Sequence, residues 1–329
     1  MKIIAEIAQG FEGSLTQAKL LLKAASSSGA DIAKLQLVYA DELATQDYIY
    51  YKLFKNLEMS FKQWKELHEY SKELKIELDL DIFGKKSLKL AEKLCIDGVK
   101  LHGTDITNIG LLKLVSKSKI KKIYLGAGGS NLDEIEHAIS ILKNKKIILL
   151  LGFQSYPTPD CDNQISRITY LKKRFNNKKI EIGFADHANS NSSLSITLAA
   201  AALGAGSTVI EKHLTLGKVM KLEDYESALN PDEFSNFTKT IKLCFKALGS
   251  TSKSNDFDMS KSEKVYRKMI RRHVTSSRDI KKGTVISAED LVLKRTSSKN
   301  YISDINKVIN KIITKDITKD SAIIKDFLK

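Results

Sequence analysis

The strongest constraint on the fold is a regular alternation of short apolar stretches with helical patterns across residues 1–249. Eight apolar stretches, beginning with KIIAEIA and ending with STVIEKH, are each followed by a segment with helical periodicity. Strands that alternate with helices in this way lie parallel in one sheet, with the helices outside. Eight such units in about 250 residues match the size of a closed (β/α)8 TIM barrel, which is the predicted fold. An open doubly wound sheet is the alternative, and the absence of a GxGxxG turn after the first strand disfavours it.

The pattern changes after Gly249. The segment TSKSNDFDMSKSEK is polar, and we interpret residues 250–265 as a linker. Residues 266–329 alternate in short β-like pieces around the turn KKG. The chain is therefore expected to have a barrel domain, residues 1–249, and a small β-rich domain, residues 266–329.

Charge and hydropathy exclude some functions. The formal net charge is +15, and residues 251–329 carry nineteen Lys and Arg against ten Asp and Glu. These basic residues are not interleaved with aromatic residues that could stack on bases, so a lysine-rich surface is favoured over nucleic-acid binding. No apolar run has the length of a membrane span, and MKIIAEIAQGFEG lacks the features of a signal peptide. We therefore expect a cytoplasmic protein that binds neither nucleic acid nor membranes.

Two histidines are predicted to reach the same edge of the barrel. Ile180–Phe184 and Thr208–Ile210 read as buried strands, and the alanine-rich helix between them makes a βαβ unit with parallel strands. His187 and His213 follow these strands. Two neutral imidazoles at neighbouring strand ends are suited to a divalent metal, although two unrelated strand-end histidines would give the same pattern.

Carboxylates lie near both histidines in the sequence. Asp186 precedes His187 directly, and Glu211 lies two residues before His213. We expect these two carboxylates to support the metal ligands from behind.

Other predicted strands also end on polar or charged residues, which are costly to bury unless they pair or bind a ligand. The sharpest of these are Lys34 and Lys100, each inside an otherwise apolar strand. Each lysine could bind an anionic substrate, or it could form an ion pair with Glu6 or Asp81 that supports the barrel. The remaining polar residues at these positions are Gln36, Asp79, His102, Asp105 and Gln154.

Eight motifs in order resemble those of the sialic acid synthase family: AEIAQGFEGSL, ADIAKLQL, VKLHGTDITN, SYPTP, GFADH, VIEKHLTL, DYESALNPDEF and DIKKGTVISAEDL. They span nearly the whole chain. The resemblance implies a barrel followed by an antifreeze-protein-like (SAF) domain of the β-clip type. It also implies an enzyme that condenses phosphoenolpyruvate with an N-acylated hexosamine and releases phosphate.

The resemblance also assigns roles to individual residues. It implies that His187 and His213 bind Mn²⁺ or Mg²⁺, and that Glu6 and Asp105 are catalytic. The substrate-binding residues that it implies are Lys34, Gln36, Asp81, Lys100, Gln154, Tyr156 in SYPTP, Asp224 and Arg295. Arg295 would reach the active site of a partner subunit, so the resemblance also implies a homodimer.

The sequence departs from the family pattern where phosphate should bind. The family has hydroxyl side chains on four strands, where this chain has Asp81, Gly103, Gly126 and Ala185. A carboxylate at Asp81 would repel phosphate unless it is neutralised, and glycine amides could take the place of the hydroxyls. A metal-dependent aldolase or lyase that uses a non-phosphorylated 2-oxo acid is therefore the alternative activity, and a catalytically silent carbohydrate-biosynthesis protein is a third interpretation.

Overall fold

The structure is a computed structural model that describes residues 1–152, 155–175, 179–249, 259–298 and 300–329. Contacts between Cα atoms divide the chain into two units, Met1–Gly249 and Ser250–Lys329. The first unit is a closed parallel barrel, as the alternation of strands and helices predicts.

Each barrel strand pairs with its neighbours in chain order, and the first strand also pairs with the eighth, which closes the barrel. The strands are Lys2–Ala8 (β1), Ile32–Leu37 (β2), Glu77–Ile82 (β3), Gly98–Leu101 (β4), Lys122–Gly126 (β5), Lys146–Gly152 (β6), Ile180–Asp186 (β7) and Val209–His213 (β8).

Helices follow the strands and bury their apolar faces against the outside of the barrel. They are Leu15–Ser27 (α1), Ala40–Leu43 (α2), Tyr51–Asn56 (α3), Phe61–Glu73 (α4), Lys85–Lys93 (α5), Ile109–Lys117 (α6), Leu132–Ile141 (α7), Ser166–Arg174 (α8), Thr197–Ala205 (α9) and Pro231–Leu248 (α10). Local signals fix several helix ends. Ser60 and Gln63 form a reciprocal capping box at the start of α4, and α9 ends at Gly206, whose φ of 109° suits glycine.

Alternate side chains of each strand point into the barrel. Beside buried Asp79, the interior holds an apolar cluster that includes Ile4, Ile32, Tyr124, Ile148, Leu150, Ala185 and Val209. Above it the pairing register brings charged positions to one level. Glu6 lies opposite both Lys34 and His213, and Asp81 lies opposite Lys100. The register therefore assembles a polar layer at the carboxyl ends of the strands.

The second unit has its own apolar core and a two-stranded antiparallel sheet, His273–Ser276 (β9) with Leu291–Lys294 (β10). Isolated antiparallel bridges such as Ile280 with Ile317 add further β pairing. The prediction of a small β-rich C-terminal domain is confirmed.

The start of this unit differs from the prediction. A helix, Lys261–Ile270 (α11), begins inside the expected linker and extends into the expected β-rich domain. Ser260 and Glu263 form a capping box that satisfies the first amides of the helix, which accounts for a helix in a polar stretch. Residues 250–258 of the expected linker lie outside the described residues.

None of the helices in the described ranges combines the length and the apolar character that crossing a membrane requires.

Candidate active site

A cavity with an empty volume of about 670 Å³, counted up to its open mouth, lies at the carboxyl ends of the barrel strands. This is the end of such barrels at which the loops build binding sites. The residues that line it are Glu6, Gln9, Gln36, Lys100, His102, Gly103, Gly126, Gly128, Leu150, Gly152, Ala185, His187, His213, Glu223 and Asp224.

The two histidines predicted at neighbouring strand ends meet in this cavity. The Nε2 atoms of His187 and His213 are 3.1 Å apart. Burial lowers the pKa of His187 to about 3 and that of His213 well below its ordinary value, so both imidazoles are neutral at pH 7. His187 Nδ1 lies 3.1 Å from the carbonyl oxygen of Ala185, which can only accept a hydrogen bond. The hydrogen of His187 is therefore on Nδ1, and Nε2 presents a lone pair.

This donor set fits a divalent metal, because neutral imidazole nitrogens are common metal ligands. The two Nε2 atoms form a hydrogen bond if His213 carries its hydrogen on Nε2, and a cation between them would require that hydrogen on Nδ1 instead. No cluster of three or more His, Cys, Asp or Glu side chains suited to a metal ion occurs in the described ranges.

An acid and a phenol lie beside the histidine pair. His213 Nδ1 is 3.5 Å from Asp224 Oδ2, and the ring of Tyr156 lies edge-on to that of His187 with centroids 6.4 Å apart. Burial and neighbouring Glu223 raise the pKa of Asp224 to about 7, although a hydrogen bond from Tyr156 lowers it. Burial and Asp224 in turn raise the pKa of Tyr156. Asp224 can therefore gain or lose a proton near neutral pH, while the Tyr156 phenol keeps its hydrogen and can donate it in a hydrogen bond.

Five charged side chains form a layer at the floor of the cavity. Lys34 Nζ contacts Glu6 Oε2 and lies 2.6 Å from Asp81 Oδ1 and 3.5 Å from Glu211 Oε2. Lys100 Nζ lies 2.6 Å from Glu211 Oε1 and 3.5 Å from Glu6 Oε2. Three carboxyl groups thus surround two ammonium groups.

The layer is close to electrical balance at neutral pH. Burial raises the pKa of Glu6 to about 8, with Asp81 and Glu211 adding to the rise against Lys34. Burial opposes ionisation of Asp81 and Glu211 too, but the two lysines hold the pKa of each below its ordinary value. A protonated Glu6 leaves two carboxylates to balance two lysines.

The two lysines differ in access. Lys100 lines the cavity, whereas Lys34 is fully buried beneath it and does not. Of the two roles left open by the sequence, the structure shows the supporting one for Lys34, which contacts Glu6 and forms an ion pair with Asp81. Asp81 is also fully buried and does not line the cavity, so its charge faces Lys34 rather than a ligand.

Asp186 and Glu211, which were expected to support the histidines, form ion pairs with lysines, and their role behind a bound metal stays a prediction. Asp186 Oδ1 lies 3.1 Å from Lys212 Nζ and accepts the amide of Ala188 at 3.0 Å. Glu211 pairs with Lys100. Because strand side chains alternate, Asp186 and Lys212 point to the side of the sheet opposite the cavity.

The other predicted residues have various positions. Gln36 lines the cavity and its Oε1 accepts a 2.7 Å hydrogen bond from Gln9 Nε2. Asp105 does not line the cavity, and its Oδ1 accepts a 3.0 Å hydrogen bond from Asn108 Nδ2. Arg295 is an exposed residue of the second unit. Gln154 lies outside the described residues.

Three polar side chains of the cavity were not predicted as ligands: Gln9, His102 and Glu223. His102 follows Lys100 by two residues, and this spacing in a strand is a signal that both face the same side. Its Nε2 lies 2.8 Å from Asp81 Oδ2, and its ring packs against Phe83 with centroids 5.2 Å apart. The sequence identified His102 as a strand-end residue but could not indicate this partner.

Comparison with known proteins shows which families and which individual proteins this chain is similar to. Residues 21–253 match the NeuB family and residues 271–329 match the SAF domain. The N,N'-diacetyllegionaminic acid synthase of Campylobacter jejuni is 33% identical, over 90% of this chain and 90% of that protein. The human N-acetylneuraminate-9-phosphate synthase is 27% identical, over 91% of this chain and 84% of that protein. The crystal structure of N-acetylneuraminic acid synthetase from Leptospira borgpetersenii, in complex with citrate, superposes with a TM-score of 0.73 and 27% identity, over 82% of this chain and 92% of the other.

Proposed function

The chain belongs to the NeuB family, and on that premise we propose that it condenses phosphoenolpyruvate with an N-acylated hexosamine to make a nonulosonic acid and inorganic phosphate. The observation that carries this proposal is the meeting of a cavity-lining lysine, a buried acid and two neutral imidazoles in one cavity. Each of these groups suits one part of a carbon–carbon condensation.

Lys100 would bind the carboxylate of the three-carbon donor. It is the lysine that lines the cavity, and a donor carboxylate could take up one of its contacts with Glu6 or Glu211. Lys34 would act from beneath by fixing Glu6 and Asp81. This division of roles differs from the expectation that both lysines reach the donor.

The acceptor sugar would lie on the side of the histidine pair. Protonated Glu6 can donate a hydrogen bond to the aldehyde oxygen or a sugar hydroxyl, and Asp224 with Tyr156 can bind hydroxyl groups further out. A divalent metal, Mn²⁺ or Mg²⁺, held by His187 and His213 would supply Lewis-acid polarisation of the aldehyde. Gln36 and Gln9 complete the polar wall.

In the proposed reaction, the methylene carbon of the donor bonds to the aldehyde carbon, whose oxygen takes up a proton. Water then adds to the donor's second carbon, and the bond from that carbon to the phosphate oxygen breaks. The products are the nonulosonic acid and inorganic phosphate. The homodimer suggested by Arg295 forms part of the proposal, and measuring the molar mass in solution tests it.

One observation favours a second candidate, an aldolase or lyase that uses a non-phosphorylated 2-oxo acid. The cavity wall has Gly103, Gly126 and Ala185, which bring no side-chain donor for a phosphate group. The floor lysines are also already balanced by carboxylates.

The test is to incubate the protein and Mn²⁺ with a panel of N-acylated hexosamines and either phosphoenolpyruvate or pyruvate. Release of inorganic phosphate together with a new nine-carbon acid supports the proposal. Formation of the same acid from the hexosamine and pyruvate, without phosphoenolpyruvate, supports the second candidate.

A further inference from the structure

His102 lines the cavity and pairs with Asp81 buried behind it, and the proposed function gives His102 no role. Asp81 is fully buried, and its two oxygens have different partners. Oδ1 lies 2.6 Å from Lys34 Nζ, and Oδ2 lies 2.8 Å from His102 Nε2. Both contacts hold the carboxylate in place. Asp81 is therefore suited to fix the orientation of the His102 ring.

The pairing also fixes the tautomer of His102. An ionised carboxylate can only accept, so the hydrogen of a neutral His102 is on Nε2 and Nδ1 presents a lone pair. Nδ1 makes no hydrogen bond with any residue in the described part of the chain. An imidazole that a buried carboxylate orients in this way can remove a proton from a bound molecule.

The surroundings of His102 indicate which molecule this would be. Its neighbours along the wall are Gly103, Gly126 and Gly128, which bring no side chain. A Cβ atom at Gly126 would lie 2.7 Å from the Gly103 amide nitrogen, so the close approach of these backbones requires glycine there. His102 directly follows β4, and Lys100, a cation that lines the cavity, lies two residues earlier in that strand. The donor bound at Lys100 would thus lie next to the imidazole.

We propose that His102 is a catalytic residue, the general base for the addition of water to the second carbon of the donor, with Asp81 as its positioning residue. Nδ1 takes a proton from water while the water oxygen bonds to that carbon. The bond between the carbon and the phosphate oxygen then breaks as the remaining hydroxyl hydrogen leaves and the carbon becomes a ketone. That hydrogen replaces the proton taken up by the aldehyde oxygen, and Nδ1 returns its own proton to the departing phosphate. This inference rests on the proposed synthase activity, and it names the proton acceptor that this activity needs.

The test uses the full chain with Mn²⁺, phosphoenolpyruvate and the acceptor that gives the fastest phosphate release. In His102→Ala we expect kcat to fall about 100- to 10,000-fold, the range for loss of a general base, with the KM for phosphoenolpyruvate changed by less than about threefold. Added imidazole should restore part of kcat, which a purely structural role would not allow. His102→Gln should lose as much activity as His102→Ala, because glutamine can bind Asp81 but cannot act as a base.

His137→Ala is the matched control, since His137 is an exposed residue of α7; its kcat should not change. The inference is overturned if both His102 variants keep kcat within about tenfold, if the loss is confined to KM, or if imidazole restores nothing. If the unmodified protein releases no phosphate with any acceptor, the proposed function fails and this inference fails with it. If that protein is active and only the His102 result differs, the proposed function stands.

Discussion

Replacing Lys34 with methionine should destabilise the barrel strongly. Methionine has a similar length and leaves little empty space, so the main change is the loss of one buried positive charge. Asp81 and Glu211 then face Lys100 alone, which leaves one carboxylate uncompensated in a fully buried layer. Removing one partner of a buried ion pair costs about 3–5 kcal/mol.

The assay is urea unfolding of the full chain at pH 7, with a thermal melt in parallel. A loss of about 3–5 kcal/mol corresponds to a fall in Tm of about 6–20 °C, at about 2–4 °C per kcal/mol for a domain of this size class. The matched control is Lys146→Met, because Lys146 Nζ lies 2.7 Å from Glu181 Oε1 in a partly exposed pair. Exposed pairs contribute less than about 1 kcal/mol.

A second variant separates charge from packing. Adding Asp81→Asn to Lys34→Met removes the uncompensated carboxylate. We expect the double variant to recover about 1–3 kcal/mol of the free energy of unfolding, which lies within the range of interaction energies measured between neighbouring mutations. The reasoning is refuted if Lys34→Met is as stable as Lys146→Met. If Lys34→Met keeps its stability and its only defect is a raised KM for the donor, Lys34 binds the donor directly.

Three further predictions concern other parts of the barrel. Changing His187 or His213 to Ala should abolish retention of Mn²⁺ after dialysis, and full metal content in both variants would place the metal elsewhere. Burial raises the pKa of Asp79 to about 6 from 3.8, so the folded protein holds a proton that the unfolded chain loses, and stability should fall as pH rises from about 4 to 6. Asp79→Asn should flatten that slope in urea unfolding, and an unchanged slope would rule Asp79 out as its source. Asp105→Asn should keep kcat within about threefold, because Asp105 contacts Asn108 outside the cavity; a loss of 100-fold or more would restore its catalytic role.

Periodicity was sufficient to predict the barrel, because each strand carries its own apolar pattern and a helical pattern follows each strand before the next one begins. It also located His187 and His213, since the ends of neighbouring parallel strands share one edge of the sheet. The helix α11 escaped prediction because half of its residues are charged and nearly all are exposed, and only the capping box of Ser260 with Glu263 marks it.

Pairings inside the barrel could not be predicted from single strands. Asp79 and Asp81 share a face of β3, yet Asp79 lies one level lower and contacts Tyr124 and Lys122, while Asp81 contacts Lys34. The partner of His102 likewise depends on the register of β3 with β4. Register is a property of paired strands, so it is not encoded in either strand alone.

Phosphate release by the purified protein tests the proposed condensation most directly. The protein with Mn²⁺, phosphoenolpyruvate and an N-acylated hexosamine should release one inorganic phosphate for each nonulosonic acid formed, and omission of the sugar should stop the release. Formation of the acid from pyruvate, with no activity on phosphoenolpyruvate, would contradict the proposal.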